Sequence, residues 1–248
     1  MNAPPGLIQK DFVLTSEAIP KFEACPGSTC FIAEERPKTT FPQWHGIFVH
    51  RFLEYCVDRG HQQALDWIRT KKMKATVACC EAINPDHLLY GQTEIGWCHD
   101  PFEHFSRRVP FSLMATRDPR TEQFGKADIV VEHDVIRPLI GDYKTGKLKI
   151  EPAESTQLLG LAASYQAETA HKGSVDVALI EVKQSGELVW HVQEVDPPAI
   201  ARYVDRAKRL HLRVLEDRER AKAGAWPEFV RNDQCQNCNL KPSCPAWT

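Results

Sequence analysis

No stretch of the 248-residue chain approaches the roughly 20 consecutive apolar residues of a membrane helix. The opening residues, Met1 to Phe12, lack the basic-then-apolar pattern of a signal peptide, so a cytoplasmic location is expected. An excess of charge is also missing. Against 31 Lys and Arg stand 33 Asp and Glu, a formal net charge of −2, which excludes whole-protein steering toward a polyanion; such a partner must be held by local basic clusters. Gly/Ser linkers, internal repeats and low-complexity runs are absent, which excludes solenoids and tethered modules. So is the Gly-rich phosphate loop of nucleotide-driven motors. What is present is ordinary globular composition, 42% hydrophobic and 26% charged. A chain of this size buries about 70–75% of its unfolded surface and needs no staple to build a core.

Apolar periodicity divides the chain into helix, strands, helix, strands, helix and tail. A short helix is expected from Ser16 to Ala24, with Pro20 in its first turn. Phe48, Phe52 and Tyr55, with Ile47 nearby, recur at helical spacing between Trp44 and Ile68, and a second helical piece ends before Asn84-Pro85. The period then changes: Leu88–Trp97, Val109–Ala115, Ala127–Val131 and Leu139–Tyr143 are short runs bounded by Gly, Asp or Pro, a strand meander. A helix follows from Glu154 to His171, then a hairpin of Val175–Val182 and Glu187–Val195. A long charged helix, Pro197 to Ala223, closes the fold, which is expected to be α/β: a mixed central sheet flanked by helices.

The densest local signal is Gly125-Lys126-Ala127-Asp128, followed fourteen residues after its acid by Asp142-Tyr143-Lys144-Thr145-Gly146. Side chains alternate on a strand, so Asp142 and Lys144 share a face and Tyr143 takes the other. Two acids on neighbouring strands beside a lysine suit a hard divalent cation and an attacked phosphate. A lone Asp-x-Lys is more often a solvated strand face.

Nine cysteines form an odd set in a chain read as cytoplasmic, which argues for ligation over a disulfide framework. Cys235, Cys238 and Cys244 lie in a Pro-, Asn- and Lys-containing segment with two and then five residues between them, a spacing that can wrap a soft metal centre lacking only a fourth ligand. Cys56, Cys79, Cys80 and Cys98 read as small buried hydrophobes. Lys71, Lys72, Lys74, Arg107, Arg108, Lys147 and Lys149 are candidate phosphate contacts.

Together these motifs resemble the PD-(D/E)XK nuclease superfamily, in particular its RecB-like branch that includes AddB-type and CRISPR-adaptation nucleases. Gly46-Ile47-Phe48-Val49-His50-Arg51-Phe52-Leu53-Glu54 is similar to the family's helical histidine motif, Asp128 to its first acid, Asp142 and Lys144 to its second acid and lysine, and Gln157-Leu158-Leu159-Gly160-Leu161-Ala162 to its glutamine helix. One departure is Leu161, where the family usually has tyrosine. The resemblance implies a restriction-endonuclease-like fold in a single domain, 1–248. Its core is about 44–222, and a cluster region is formed by 16–43 and 223–248. It implies Asp128, Asp142, Lys144 and Gln157 as catalytic residues, with His50, Asp128, Asp142 and an auxiliary Glu94 holding Mg²⁺ or Mn²⁺. The helices of His50 and Gln157 are expected on the same side of the sheet. It further implies a [4Fe–4S] cluster on Cys25, Cys235, Cys238 and Cys244, with Cys30 competing for the upstream place and zinc as the runner-up occupant.

The activity implied is a metal-dependent DNA phosphodiesterase, an exonuclease acting on DNA ends or single strands in recombination or repair, with any unwinding left to a partner helicase or recombination protein. Two other classes stay open: a non-cleaving nucleic-acid-binding or cluster-containing scaffold protein, and a redox-sensing cluster protein. The intact acids and lysine argue against the scaffold, which has no need of them.

Overall fold

The computed structural model describes residues 7–9, 15–33, 39–88, 91–109, 118, 121–132, 137–148, 150–225, 227–233, 235, 238 and 240–246. In chain order the elements are β1 (Leu7–Gln9), α1 (Ile19–Ala24), α2 (Gly27–Cys30), β2 (Phe31–Ala33), α3 (Phe41–Arg59), α4 (His61–Arg69) and α5 (Lys74–Glu81). Then come β3 (Gln92–Asp100), β4 (Phe105–Val109), β5 (Gln123–Val131), β6 (Leu139–Lys144), α6 (Thr156–Thr169), β7 (Val175–Val182), β8 (Leu188–Val195) and α7 (Pro197–Lys222).

β3 to β8 form a six-stranded mixed sheet in the order β4-β3-β5-β6-β7-β8, and β1 pairs with β2 separately. β6 and β7 run parallel, which requires a crossover, and α6 supplies it. The other neighbours are antiparallel, but the order β4-β3-β5-β6 corrects the expected meander: β5 pairs with β3, not with β4, which is left as the edge strand. Its first member differs from expectation: the strand ends at Val109, where the sequence reading began one, and residues 110–117 lie outside the described part.

Successive side chains of β7 enter two different cores. Val177 and Leu179 pack with Leu158, Leu161, Ala162 and the α7 residues Tyr203, Ala207 and Val214; Ala178, Ile180 and Val182 pack with Val49, Phe52 and Leu53 of α3. Burial on both faces explains why Val175–Val182 reads as an almost unbroken apolar run. It also corrects one expectation. The helices carrying His50 and Gln157 lie on opposite faces of the sheet, because each has its own apolar stripe and each stripe claims one face of β7.

Helix ends follow local chemistry. Asp196 accepts a hydrogen bond from the Ala199 amide at 2.7 Å ahead of Pro197 and Pro198, and Ser155 caps α6. Gly60, at φ 89°, breaks the helical run into α3 and α4, a conformation in which a side chain would be strained. Among the described residues no helix is long and apolar enough to cross a membrane.

Candidate active site

Asp128 and Asp142 come from adjacent antiparallel strands. Ile129 pairs with Gly141, and both acids stand one residue further along this ladder. Each is 3% exposed, so each needs partners. Asp128 Oδ2 accepts from the Tyr143 backbone amide at 2.8 Å and lies 3.2 Å from His50 Nδ1, which reaches across from α3. Asp142 Oδ1 accepts from Gln157 Nε2 at 2.8 Å, and Asp142 Oδ2 lies 2.5 Å from Lys144 Nζ. Lys144 Nζ also donates to Gln157 Oε1 at 3.2 Å, closing a three-membered ring of contacts. Thus α3 and α6 each send one polar side chain past the end of β6, from opposite faces. At Gly46 α3 comes close to the end of β6, and an added Cβ there would sit 3.0 Å from Thr145 Oγ1.

The two carboxylates are pushed apart in acidity. Burial raises Asp128, but the hydrogen bond and charge of His50, the Tyr143 amide and Lys126 outweigh it, and its pKa falls below the ordinary value. Asp142 is raised to about 6 by burial and by the charge of Asp128, against the opposing pull of Lys144 and His50. Burial lowers His50, yet Asp128 and Asp142 more than offset this and leave it raised.

Two further residues belong to this constellation, though the motif reading gave them no role. Lys126 Nζ sits 3.2 Å from Glu54 Oε1 and 3.9 Å from Asp128 Oδ1. Glu54, 2% exposed, also receives Arg51 Nη1 at 3.0 Å. The signal was available: Lys126 and Asp128 alternate onto one strand face, and Glu54 is one helical turn from His50. Glu94 lies in β3, but its side chain is outside the described part. Leu161, in place of the family's tyrosine, is fully buried, with Cδ2 2.8 Å from where a Cβ on Gly125 would be.

Among the described residues no three or more His, Cys, Asp and Glu side chains stand in metal-holding arrangement. His50 and Lys144 lie against the carboxylate oxygens, so a cation would have to open these ion pairs. The donor set itself fits a hard divalent ion. Two carboxylates from adjacent strands, with an imidazole beside one of them, are oxygen and nitrogen donors of the right kind, and Asp142 Oδ2 is a buried oxygen in contact with the Lys144 ammonium.

The cysteine segments also meet. Gly27 N donates to Glu228 O at 2.9 Å, Asn232 Nδ2 donates to Ala24 O at 2.9 Å, and Phe31 stacks on Phe229 with centroids 5.7 Å apart. Cys25 Sγ accepts from Val230 N at 3.4 Å, and Cys235 Sγ from Asn232 N at 3.3 Å. Burial raises the Cys25 thiol pKa, and the charges of Cys244 and Cys238 add to it. The side chain of Cys30 is outside the described part.

Other candidates are engaged elsewhere. Arg107 forks onto Glu122 at 3.0 Å through two nitrogens, and Arg108 binds Glu168 and Glu132, each at 2.7 Å. In this structure both guanidiniums are engaged within the chain. Lys149 lies outside the described part. Cys56 is buried, which pushes its thiol up to about 12, the behaviour of a core residue.

A family model for the PD-(D/E)XK nuclease superfamily matches residues 17–245. Among solved structures, a protein from Eubacterium rectale described as a candidate exonuclease is similar over 92% of this chain and 88% of its own, at 11% identity and a TM-score of 0.50. The protein SSO0001 matches 82% of this chain and 85% of its own, at 13% identity and a TM-score of 0.36. A search of curated proteins finds no match. With the family model covering nearly the whole sequence and the neighbour sharing the architecture, the chain belongs to the PD-(D/E)XK nuclease superfamily.

Proposed function

We propose that the chain is a metal-dependent DNA phosphodiesterase, a RecB-like exonuclease acting on DNA ends or single strands in recombination or repair. One observation carries the reading: Asp142, Lys144 and Gln157 bond to one another beside Asp128 and His50, which are themselves paired. A structural ion pair needs no second buried acid, and two such acids cost stability unless they serve chemistry. Asp128 and Asp142, with His50, would hold Mg²⁺ or Mn²⁺, and Glu94 is an auxiliary candidate. When bound, that cation supplies positive charge to the scissile phosphate and acidity to water. Lys144 holds a proton and a positive charge where charge develops on phosphorus oxygens. Gln157 fixes Lys144 and Asp142 in one geometry, and His50 orients Asp128.

The exonuclease assignment rests on the RecB-like motif order and agrees with the description of the Eubacterium rectale neighbour. The chain is proposed to act as one domain in the cytoplasm, its thiols reduced, with unwinding supplied by a partner helicase. At the clasped ends, Cys25, Cys235, Cys238 and Cys244 are proposed to hold a [4Fe–4S] cluster, with zinc as the alternative. Backbone amides already donate to two of these sulfurs, the pattern that stabilises ligating thiolates.

The test is cleavage of linear, circular and single-stranded DNA with and without Mn²⁺. The reading requires Mn²⁺-dependent loss of linear or single-stranded substrate, abolished by Asp142→Asn. DNA that stays intact under every condition overturns it.

A further inference from the structure

Along α3, next to the stripe that carries His50 and Glu54, runs a second stripe with no part in the catalytic set. Phe41 and Trp44 are 57% and 44% exposed, and Ile47 is 51% exposed. At 100° per residue, Trp44, Phe48, Arg51 and Tyr55 fall within about 60° of one another, and Ile47 lies midway between Trp44 and His50. The aromatic rings are already ordered against each other. Trp44 stacks on Phe48 with centroids 5.7 Å apart and planes 22° apart, Phe48 meets Trp67 edge-on at 6.1 Å, and Tyr55 lies 4.9 Å from Trp67.

Cations sit on this surface. Lys71 Nζ is 4.7 Å from the Trp67 ring centroid and 6.0 Å from that of Phe48, while Arg51 and Arg59 both lie 4.8 Å from Tyr55. The nearby acids are turned to other work: Glu54 to Arg51 and Lys126, Asp58 to Thr93 Oγ1 at 2.6 Å, Asp66 to Gln62 Nε2 at 3.1 Å. Two exposed aromatic rings, Phe41 and Trp44, beside half-buried rings that carry positive charge complement bases above a phosphate backbone. This arrangement does not suit an apolar protein surface, which would cover the Lys71 ammonium and the Arg59 guanidinium without offering them an anion; Arg51 already has Glu54.

We propose that Phe41 and Trp44, backed by Phe48, Trp67 and Lys71, form a stacking platform that delivers single-stranded DNA to the Asp128–Asp142 site. The proposal rests on the nuclease reading above and names its substrate. Trp44 and His50 are about 9 Å apart along the helix axis and about 120° apart around it, with Ile47 between them, so a strand stacked on Trp44 passes over Ile47 to reach the carboxylates. Base pairs in a duplex hide the faces that this platform would grip, so single strands are preferred.

The experiment measures binding of fluorescent oligothymidylate and of a blunt duplex of equal length to the 248-residue Asp142→Asn chain in Ca²⁺. It compares added Trp44→Ala, Trp44→Leu, Trp44→Phe and Lys71→Gln, after thermal melts establish that each folds. Trp44→Ala and Trp44→Leu are expected to weaken oligothymidylate roughly 5- to 100-fold, the range for loss of one stacked base, with duplex binding little changed. Trp44→Phe retains most of the affinity, and Lys71→Gln lowers the salt dependence by about one phosphate contact. The platform is overturned if Trp44→Ala binds oligothymidylate as the parent does, if leucine serves as well as tryptophan, or if duplex and single strand weaken equally. It is overturned too if sedimentation finds a dimer that Trp44→Ala dissociates at unchanged DNA affinity, which would make the face a contact between copies. Cleavage by the otherwise unaltered chain separates the two readings: a chain that cuts DNA with a dispensable Trp44 loses only the platform, whereas one that cuts no DNA loses the nuclease.

Discussion

Asp142 and Lys144, two positions apart on β6, meet at 2.5 Å, and one side chain from the opposite layer, Gln157, bonds to both. The strand alone puts the acid and the lysine on one face; the crossover helix fixes how they touch. Lys144→Ala is therefore expected to reduce cleavage at least ~100-fold, the scale of losing a preorganised charge in a site. It also takes a cation from the 3%-exposed Asp142 carboxylate, so a lower melting temperature at pH 7 should accompany the loss, and rates are compared well below the variant's melting range. Gln157→Ala should cost about tenfold, and the double variant should fall short of the product of the two, since both act through one arrangement. Single-turnover cleavage rates check all three; equal rates for Lys144→Ala and the parent would falsify the assignment.

The raised pKa of Asp142 sets a pH window. Folded, this carboxyl titrates near 6; unfolded, near the ordinary value of about 3.9. The folded chain thus binds more protons between these values, and stability from this group is full below about 4 and is lost as pH rises through 6. Asp142→Asn removes that loss. In EDTA it should melt about 3 °C or more above the parent at pH 7 and no higher near pH 4. Differential scanning calorimetry at the two pH values decides it.

The same titration governs metal binding. A cation at Asp128 and Asp142 must displace the proton on Asp142 and that on His50, whose pKa is also raised. Mn²⁺ affinity should therefore climb between pH 5.5 and 7.5, with proton release visible as a buffer-dependent enthalpy in titration calorimetry. His50→Ala should raise the Mn²⁺ concentration needed for cleavage while lowering the number of protons released. Binding that is independent of pH would contradict the carboxylate pair as ligands.

Much of this was legible from the sequence because it is written in short range. The runs Val175–Val182 and Leu139–Tyr143 carry their strand assignment in β-branched and aromatic residues between turn signals, and the motif spacing fixes which acids share a ladder. Two features were not legible. The layer on which α3 and α6 lie depends on which face of β7 each apolar stripe claims, a long-range choice that periodicity within either helix does not contain. The fate of Arg107 and Arg108 was hidden for the same reason: Glu122, Glu132 and Glu168, which take them, come from other parts of the chain.

Gly160 marks how closely the N-terminal turn is pressed onto the Gln157 helix. A Cβ there would fall 2.0 Å from Ser16 Oγ and 2.6 Å from Tyr203 Oη, groups that are hydrogen-bonded to each other at 2.7 Å. Gly160→Ala should destabilise by about 1–3 kcal/mol through overpacking, a drop of several degrees in melting temperature. Gly146→Ala, where nothing lies within 4 Å of the new Cβ, should melt as the parent does. Equal melting temperatures for the two variants would show that the Ser16 turn yields easily and does not brace α6.

The two ends of the chain are joined by contacts that do not involve a cofactor, which makes the cluster proposal separable from the clasp. Gly27 packs under Phe229 so closely that a Cβ would be 2.7 Å from the ring, and Asn232 ties the tail to the Ala24 carbonyl. Cys25 and Cys235 are 210 positions apart, so a shared centre closes most of the chain into one loop and restricts the unfolded state by roughly 5 kcal/mol in the chain-entropy model. Protein purified without oxygen is expected to be brown with broad visible absorbance. Cys25→Ser should bleach it and expose both termini to protease, while Cys30→Ser should do neither. Gly27→Val, which forces Phe229 aside but spares every thiol, should loosen the tail to protease with iron still bound. A colourless protein carrying one zinc keeps the clasp and replaces the cofactor. A colourless, metal-free protein with protected termini leaves the packing contacts as the whole of the clasp and removes the cluster.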